Sequence, residues 1–373
     1  MKFNCLQENL NKGLFIVNHI ALKNSNLPIL NNILIQVKNN IIKLITTNLE
    51  IGIKCQIRGK VEKNGEFIVP SQLLVNYISL LPNQLIEIEV KNSKLFLKCA
   101  NQKIQINKID FTEFPILPKI KDKTEYIFKI IDFKKALEQI ISTITFCELR
   151  PEINGALLDF NNFQLNYLTI TGTDSFQLAE KKIPIQKETT NTTKQQIILP
   201  LKTCQELLRI LPEIEGENIK IYINTNQIYF SFQNIKLISQ IIEGKFPDYP
   251  QIIPKKYKTK IILNINELIK GIKRQSLFIL NEEKNLNLKV FNKEQKMVIF
   301  SNNTIGESIS EIIGEVEGEN NEITINYKYL LNGIQSLKSD KVIIEIINKE
   351  QPILLKSLIE KENYFYLIFP LKG

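Results

Sequence analysis

The chain repeats one structural block three times, and this repeat limits the folds that are available to it. Each copy begins with a short apolar strand, continues as a short amphipathic helix and ends in a hairpin whose side chains alternate. The copies begin at Ile68, Ile198 and Thr324. A unit of this kind buries its apolar faces only by packing against a neighbour, so the copies must belong to larger domains.

A second repeated segment precedes each block. It joins a short strand to a longer helix, and the helices are predicted over Glu8–Ile20, Phe133–Thr143 and Glu267–Leu277. The segment 114–118 also returns as residues 246–250, with the same Phe-Pro start and a final proline. The sequence therefore predicts an α+β chain with three repeated domains, each with two helices packed on antiparallel sheets.

Two charged segments have the composition of linkers, namely Lys119–Thr124, which directly follows Pro118, and Pro250–Lys258, which contains two prolines. They divide the chain into predicted domains at residues 1–122, 123–253 and 254–373. Similar modules joined by similar linkers follow one another with a constant rotation. Such an arrangement either closes on itself or continues as a filament.

The composition disfavours an enzyme. His19 is the only histidine, and the five cysteines are scattered without a CxxC pair, so we expect no catalytic residue, no metal and no cofactor. The net charge of 48 − 39 = +9 favours a polyanionic partner, but only mildly. Because no apolar segment approaches the length of a membrane span and no signal peptide is evident, we expect a cytoplasmic protein without a membrane segment.

Several predicted helices carry basic side chains on the face opposite their apolar face. This pattern is typical of a surface that contacts nucleic acid, although an ordinary solvated face remains the alternative for any single helix. The predicted helix Ser71–Leu80 has no lysine at all. The basic positions are Lys12, Lys23, Lys134, Lys135, Lys202, Arg209, Lys270, Lys273 and Arg274.

A second charge pattern distinguishes the first domain from the third. All five charges from Lys91 to Lys108 are basic, and all six from Ile305 to Glu322 are acidic. Opposite signs at the two ends of the chain suit a head-to-tail contact between copies. Either segment alone is also typical of a solvated strand or loop.

Six short motifs occur in order along the chain. They are Leu27-Pro28-Ile29-Leu30, Glu113-Phe114-Pro115, Arg150-Pro151 with Asn154-Gly155, Thr173-Asp174-Ser175, Lys245-Phe246-Pro247-Asp248-Tyr249 and Tyr366-Leu367-Ile368-Phe369-Pro370-Leu371. Their order and spacing on the triple repeat resemble the bacterial DNA polymerase III beta subunits, the sliding clamps, over essentially the whole length.

The resemblance implies a head-to-tail homodimeric ring that encircles double-stranded DNA without reading its sequence. It implies a non-catalytic processivity factor whose partners are the DNA polymerase III catalytic subunit, the clamp loader and other proteins with clamp-binding motifs. Near the DNA-contacting loop of the family, Asn24 stands where arginine is frequent, with Lys23 beside it. A scaffold that never encircles DNA remains an alternative function, and so does a nuclease, although we find no cluster of carboxylates for two metals.

The resemblance also implies a hydrophobic cleft between the second and third domains that binds short partner peptides. Phe176-Gln177 stands where the family commonly has His-Arg or Tyr-Arg, Gln251 where arginine is frequent and Phe369 where methionine is frequent. We therefore expect a cleft that is less basic and more aromatic. The matching positions are Arg150, Ile153, Thr173, Ser175, Phe176, Gln177, Leu178, Pro247, Gln251, Ile252, Pro352, Leu367, Phe369, Pro370 and Leu371.

Finally, the resemblance places the dimer contact between the first domain of one chain and the third domain of the other. We expect apolar burial to supply the adhesion and charged side chains to select the register. Polar replacement of Ile279 and Leu280 is then expected to give monomers. The matching positions are Leu73, Leu74, Tyr77, Lys94, Lys98 and Lys103 in the first domain and Ile279, Leu280, Glu307 and Glu311 in the third.

Overall fold

The structure of the 373-residue chain is a computed structural model. It describes residues 1–21, 27–109, 114–118, 124–188, 194–279, 284–303, 306–359 and 362–371. Three predicted site residues, Lys23, Asn24 and Leu280, lie outside the described residues, and so does most of the predicted linker, residues 119–123.

Strands and helices follow one another in the same order in each third of the described chain. The first third contains β1 Lys2–Leu6, α1 Gln7–Asn18, β2 Asn32–Lys38, β3 Ile41–Thr47, β4 Ile51–Ile57, β5 Lys60–Lys63, β6 Gly65–Pro70, α2 Ser71–Ser79, β7 Leu85–Lys91, β8 Lys94–Cys99 and β9 Gln102–Asn107. The second contains β10 Thr124–Lys129, α3 Ile130–Ile140, β11 Gly155–Phe160, β12 Tyr167–Thr173, β13 Gln177–Pro184, β14 Lys187–Glu188, β15 Gln195–Pro200, α4 Leu201–Ile210, β16 Asn218–Ile223, β17 Gln227–Phe232 and β18 Ile235–Gln240. The last contains β19 Thr259–Asn264, α5 Ile265–Ser276, β20 Asn285–Phe291, β21 Lys296–Asn303, β22 Gly306–Ile313, β23 Glu315–Gly318, β24 Asn321–Asn326, α6 Tyr327–Ser336, β25 Lys341–Ile346, β26 Ile353–Ser357 and β27 Tyr364–Ile368.

The predicted helices and hairpins of the repeat are confirmed, with shifts at the helix ends. Helices α1 and α3 begin directly after a strand, before their predicted first residues, and end earlier than predicted. Their last predicted turns are the 3₁₀ turns His19–Ala21 and Ile141–Thr143, because the final hydrogen bonds of a helix often tighten to the i→i+3 pattern.

The chain forms two compact units, and the division runs through the predicted second domain. The first unit consists of Met1–Ile130, Gln186–Thr190 and Arg209–Ile241, and the second of Ile131–Ile185, Asn191–Leu208 and Ile242–Gly373. The division has a physical cause, because strands from the two halves of the second domain pair with strands of the neighbouring domains.

Within each unit a nine-stranded sheet is accompanied by a smaller sheet. In the first unit the orders are β14-β10-β16-β17-β18-β4-β3-β2-β6 and β5-β1-β7-β8-β9. In the second unit they are β15-β11-β12-β13-β27-β26-β25-β19-β23 and β22-β21-β20-β24. All of these pairs are antiparallel, and strands such as β8 alternate exposed and buried side chains, as a sheet with one solvated face requires.

Two strand pairs join the predicted domains edge to edge. In the first joint β4 pairs with β18, so that Gly52 lies opposite Ile238. In the second joint β13 pairs with β27, so that Leu178 lies opposite Leu367. Gly52 and Leu178 occupy matching positions in the repeat, because each pairs with the threonine that ends the preceding strand. Ile238 and Leu367 also match, because each is the fourth residue of its strand.

The turns that precede β4 and β13 are also alike. In both, a threonine hydroxyl accepts a backbone hydrogen bond from the residue two positions on, and the asparagine or aspartate after the threonine accepts two more. Leu49 and Ser175 then have positive φ angles of 74° and 80°. The carbonyl groups of Glu50 and Phe176 each accept a 2.9 Å backbone hydrogen bond from the strand across the joint.

Arg209, which the sequence analysis assigns to the DNA-contacting face, hydrogen-bonds the end of α1 in the first unit. Its Nη1 and Nη2 donate to the carbonyl oxygens of Phe15 at 2.8 Å and Ile16 at 2.7 Å. The guanidinium carbon also lies 5.2 Å from the centroid of the Phe15 ring. Carbonyl groups in the last turn of a helix lack partners within that helix, so Arg209 stabilises this end.

A buried polar cluster lies at the second joint. One carboxylate oxygen of Glu362 accepts from Nζ of Lys135 at 3.0 Å and from Nε2 of Gln139 at 3.1 Å. Nζ of Lys181 donates to the backbone carbonyl of Glu362. Burial, together with the charge of Lys135, lowers the pKa of Lys181 from its usual 10.5 to about 8.

We expect Arg209→Ala to lower the free energy of unfolding by about 2 kcal/mol, because it removes two charge-assisted hydrogen bonds to half-buried carbonyl groups. Urea denaturation followed by circular dichroism measures the change. Gln205→Ala, at an exposed position of the same helix, is the matched control and is expected to leave the transition unchanged. Equal transitions for the two variants would contradict the role given to Arg209.

The buried Lys181 predicts a pH dependence of stability. Between pH 8 and 10.5 the unfolded chain binds a proton at this side chain that the folded chain lacks, so the contribution of Lys181 to stability rises with pH in this window. The slope for one proton is about 1.4 kcal/mol per pH unit. Three buried thiols, Cys5, Cys55 and Cys204, have pKa values raised to about 12 and act in the opposite direction in the same window. The contribution of Lys181 is therefore measured as a difference in slope between the wild-type protein and a Lys181 variant, from urea midpoints at about pH 8 to about pH 9.5, below the ordinary titration of tyrosine.

Lys181→Met is expected to make the slope of stability against pH less positive than in the wild-type protein, because the contribution of this side chain is lost. Lys236→Met changes an exposed lysine and serves as the control that should keep the slope of the wild-type protein. A slope that is the same in all three proteins would show that Lys181 stays charged in the folded chain.

Candidate partner-binding cleft and basic helix faces

The second joint has an apolar floor to which both adjoining domains contribute. Leu178 and Leu367 are fully buried in it and therefore form part of the core. Ile252, by contrast, is exposed at the edge of the floor. The buried cluster consists of Leu157, Leu178, Ile198, Phe246, Tyr249, Leu354 and Leu367.

Tyr249 fixes the linker segment against this floor. Its hydroxyl donates to Oε2 of Glu180 at 2.6 Å and accepts from Oγ1 of Thr171 at 3.0 Å. Burial and the charge of Glu180 raise the pKa of Tyr249, so the phenol keeps its proton. The ring of Phe246 meets that of Tyr249 edge to face, with centroids 6.3 Å apart. Together these contacts hold the start of the linker in one place.

An exposed aromatic ring stands at the rim of the cleft. Phe176 is 57% exposed, and its ring stacks on that of Tyr329 at a centroid distance of 6.4 Å and an angle of 14°. Sequence reasoning missed Tyr329, and it also missed Phe163, whose ring lies 5.9 Å from that of Tyr249. The signal for Tyr329 was its place in the repeated helix block; no local signal pointed to Phe163.

The polar side chains of the cleft are largely engaged with one another. Nη1 of Arg150 donates to the Ser175 hydroxyl at 2.7 Å, and its Nε lies 3.1 Å from a carboxylate oxygen of Glu152. Gln177 is buried, donates to Asp174 at 2.8 Å and accepts from the hydroxyl of Tyr366. The cleft therefore presents few charges without a partner in the chain.

The structure places the predicted cleft residues at two depths. Ten are exposed or half-buried and able to contact a ligand, namely Arg150, Ser175, Phe176, Pro247, Gln251, Ile252, Pro352, Phe369, Pro370 and Leu371. Five are buried beneath them, namely Ile153, Thr173, Gln177, Leu178 and Leu367. An apolar groove with a few polar groups at its rim suits a peptide with one or two anchor side chains.

The predicted DNA-contacting residues divide into two groups. Lys12 pairs with Glu215 at 3.0 Å, Lys134 with Glu138 at 3.9 Å, and Lys135 with the buried Glu362. These three charges are partly neutralised by carboxylates of the same chain, and Arg209 is engaged by backbone carbonyl groups.

The basic stripe of α5 is different. Lys270, Lys273 and Arg274 are exposed, and no carboxylate of the described residues lies within ion-pair distance of them. Lys202 of α4 is also exposed. Leu268 and Ile272 hold the opposite face of α5 in the core. This helix therefore presents its full charge to solvent.

The predicted interface residues of the first domain differ in exposure. Leu74 is fully buried in its own core and has no surface to offer a second chain, because it lies on the inner face of α2. Leu73 is exposed and Tyr77 is half-buried. In the third domain Ile279 is half-buried.

The acidic segment of the third domain is paired within that domain, which the sequence pattern did not predict. The pairs are Glu311 with Lys296, Glu315 with Lys341, Glu317 with Lys260, Glu319 with Lys258 and Glu322 with Lys289, at 2.9–3.8 Å. Glu307 is exposed at the start of β22. The basic segment keeps more of its charge, because Lys94, Lys98 and Lys103 have no ion-pair partner among the described residues.

Sequence reasoning also missed the apolar side chains on this outer surface. Ile309 and Ile313 of β22 are 65% and 69% exposed, and Phe96 of β8 is 39% exposed. The signal was available, since Glu307, Ile309, Glu311 and Ile313 alternate along one strand face.

Two general findings concern the described part of the chain. No group of three or more His, Cys, Asp or Glu side chains is placed to hold a metal ion there. None of the described helices has the length and apolar character needed to cross a membrane.

Comparison with known proteins matches nearly the whole chain. The N-terminal, central and C-terminal domain models of the DNA polymerase III beta subunit match residues 1–118, 129–248 and 250–372. The beta sliding clamp of Buchnera aphidicola subsp. Rhopalosiphum padi is 28% identical over 366 residues, covering 97% of this chain and 96% of that protein. The beta sliding clamp of Bacillus subtilis (strain 168) is 25% identical and covers 100% of both chains.

Solved structures agree with these matches. A crystal structure of a putative DNA polymerase III beta subunit from Eubacterium rectale ATCC 33656 is 25% identical, has a TM-score of 0.91 and covers 100% of both chains. The DNA polymerase sliding clamp from Bacillus subtilis, 24% identical, has a TM-score of 0.92 over 100% of this chain and 99% of that one. With three domain models covering almost every residue, the chain belongs to the DNA polymerase III beta subunit family, the beta sliding clamps.

Proposed function

We propose that two copies of this chain form a head-to-tail ring that encircles duplex DNA and tethers the replicative DNA polymerase to it. The chain acts as a processivity factor and catalyses no reaction itself. Its site of action is the cytoplasm, and its domains are residues 1–122, 123–253 and 254–373. The observation that carries the proposal is a pair of free sheet edges at the two ends of the repeat.

The free edges follow from the repeated topology. In both internal joints the third strand after the first helix of a domain, β4 or β13, pairs with the third strand after the second helix of the next domain, β18 or β27. The equivalent strand after the first helix of the last domain is β22, and the equivalent strand after the second helix of the first domain is β9. Both lie at sheet edges within the described residues. Edge strands present unsatisfied backbone groups, so β22 of one chain can pair with β9 of another.

The repeat also supplies the register of this contact. Ile309 matches Lys54, and Lys103 matches Lys236, and in the first joint Lys54 lies opposite Lys236. Ile309 of one chain should therefore lie opposite Lys103 of the other. Glu307 and Glu311 would then be the diagonal neighbours of Lys103 on the same face, where opposite charges attract.

Contact with DNA is assigned to the basic helix faces. The α5 stripe of Lys270, Lys273 and Arg274 carries basic charge that no carboxylate of the described residues neutralises. A few such contacts hold a duplex weakly and without regard to sequence. Many strong phosphate contacts would bind tightly and hinder sliding, so a closed ring with a net charge of only +9 suits topological retention.

The cleft at the second joint is assigned to short peptides of partner proteins. These partners are the DNA polymerase III catalytic subunit, the clamp loader and other proteins that carry clamp-binding motifs. The stacked rings of Phe176 and Tyr329 and the exposed Ile252 offer apolar contact at the rim. Large apolar anchors at such a site commonly supply most of the binding energy.

Retention on DNA distinguishes the ring from a scaffold that never encircles DNA. Protein loaded by a clamp loader onto nicked circular DNA should stay bound through gel filtration. It should be lost when a restriction enzyme makes the circle linear, because a ring slides off free ends. Equal retention on circular and linear DNA, or none on either, would contradict the proposal.

Disulfide trapping tests the proposed register between chains. A variant with Lys103→Cys and Ile309→Cys should form covalent dimers on mild oxidation, since directly opposed residues in antiparallel strands lie about 4.5–5.5 Å apart between Cα atoms. Denaturing gels measure the product. The control variant, with Lys103→Cys and Ile313→Cys, moves one cysteine by four residues and should not crosslink. Failure of the first pair, or equal yields from both, would refute this register.

A further inference from the structure

One position of the repeated helices is buried wherever the chain forms a joint and exposed in the two helices that have none. It is the tenth position, counted from the first residue of each helix. At the two internal joints this residue is at most 8% exposed in all four helices. In α2 it is Leu80, which is 84% exposed, and in α5 it is Arg274, which is also exposed. From α1 to α6 the six residues are Ile16, Leu80, Gln139, Ile210, Arg274 and Ser336.

The internal joints show which groups cover this position. At the second joint Nε2 of Gln139 donates to the backbone carbonyl of Ser336 at 2.9 Å, so the two tenth positions meet directly. At the first joint Arg209, the neighbour of Ile210, donates to the backbone carbonyl of Ile16 at 2.7 Å. In both, the first helix of a domain meets the second helix of the next domain by its C-terminal end. By the same rule α5 and α2 are left to meet between two chains.

We infer that Arg274 of one chain binds the C-terminal end of α2 in a second copy, where Leu80 packs against its aliphatic stem. Arg274 stands where Gln139 stands at the second joint, and Leu80 stands where Ser336 stands. The guanidinium group therefore donates to the backbone carbonyl of Leu80 in the second copy. The inference rests on the proposed ring and assigns to it a contact between helices, in addition to the contact between strands.

The chemistry of the two helix ends fits this pairing. The last carbonyl groups of a helix lack partners within that helix and carry partial negative charge. Helix α2 has no basic side chain in its last turn, so it supplies no cation of its own. Arg274 offers one that no carboxylate of the described residues neutralises, and its methylene groups can cover Leu80. Lys270 and Lys273 of the same stripe then remain for DNA.

The occupant is a second copy of this chain because both sides of the contact are given by the repeat. A single exposed leucine is ordinary and selects no partner. Here the exposed positions on α2 and α5 are the two that the internal joints leave over. They also belong to the same two domains as the free edge strands β9 and β22, so the helix contact continues the proposed strand contact.

The test measures the dissociation constant of the dimer by sedimentation velocity over a range of protein concentrations. Arg274→Glu places a carboxylate against the end of α2, and Leu80→Lys places a like charge against Arg274. Each should raise the dissociation constant by about tenfold or more. The double variant should bind more tightly than either single variant, because its two new charges attract. Since both side chains are exposed in the single chain, neither change threatens the fold.

Two matched controls make the same changes of charge at exposed positions away from this contact. Lys328→Glu in α6 and Ile116→Lys in the linker should leave the dissociation constant unchanged. The inference is overturned if neither single variant weakens the dimer, if the controls weaken it equally, or if the two losses add in the double variant. A wild-type chain that stays monomeric would overturn the proposed ring as well. A wild-type dimer that the two substitutions leave intact would overturn this inference alone.

Discussion

Backbone hydrogen bonding between sheet edges determines how the modules of this chain follow one another. At the first joint β4 pairs with β18, and at the second β13 pairs with β27, with matching positions opposite one another. Each joint therefore pairs one edge strand of a predicted domain with one edge strand of the next domain. Because backbone hydrogen bonds set the geometry of these joints, the side chains around them can differ between the two joints.

The two internal joints illustrate that difference. Arg209 secures the first joint through two helix-end carbonyl groups, whereas a buried cluster around Glu362 occupies the second. The register position that Glu180 occupies at the second joint is occupied by Lys54 at the first joint. Glu180 accepts a hydrogen bond from the hydroxyl of Tyr249, whereas Leu117, which stands in the place of Tyr249, has an apolar side chain. Equal backbones thus support surfaces of opposite polarity.

Local periodicity explains why the helices and hairpins were predictable from the sequence. Apolar residues at helical spacing and alternation in strands are encoded within about ten residues, so all six helices were predicted, with errors only at their ends. The resemblance to sliding clamps identified the family, and it supplied the residues of the proposed cleft as a prediction. The burial of individual residues was not predictable in this way, because whether Leu74 or Gln177 is buried depends on which other segments pack over it.

Contacts between distant segments were not predictable in this way. Arg209 and Phe15 are far apart in sequence, and nothing near either residue indicates their contact. The acidic segment was interpreted as one side of a contact between copies of the chain. Glu317 and Glu319 instead pair with Lys260 and Lys258 of the same chain, because β19 and β23 are neighbouring strands. Such pairs depend on the order of strands in the sheet, which cannot be read from local patterns in one sequence.

The pairing of the acidic segment has a consequence for the proposed contact between chains. Because five of its six carboxylates already have lysine partners in their own domain, few charges remain for a second chain to neutralise. Ile309, Ile313 and the strand backbone would then supply most of the association. Since dissolved salt weakens exposed charge pairs far more than apolar contacts, assembly should persist across a wide range of ionic strength.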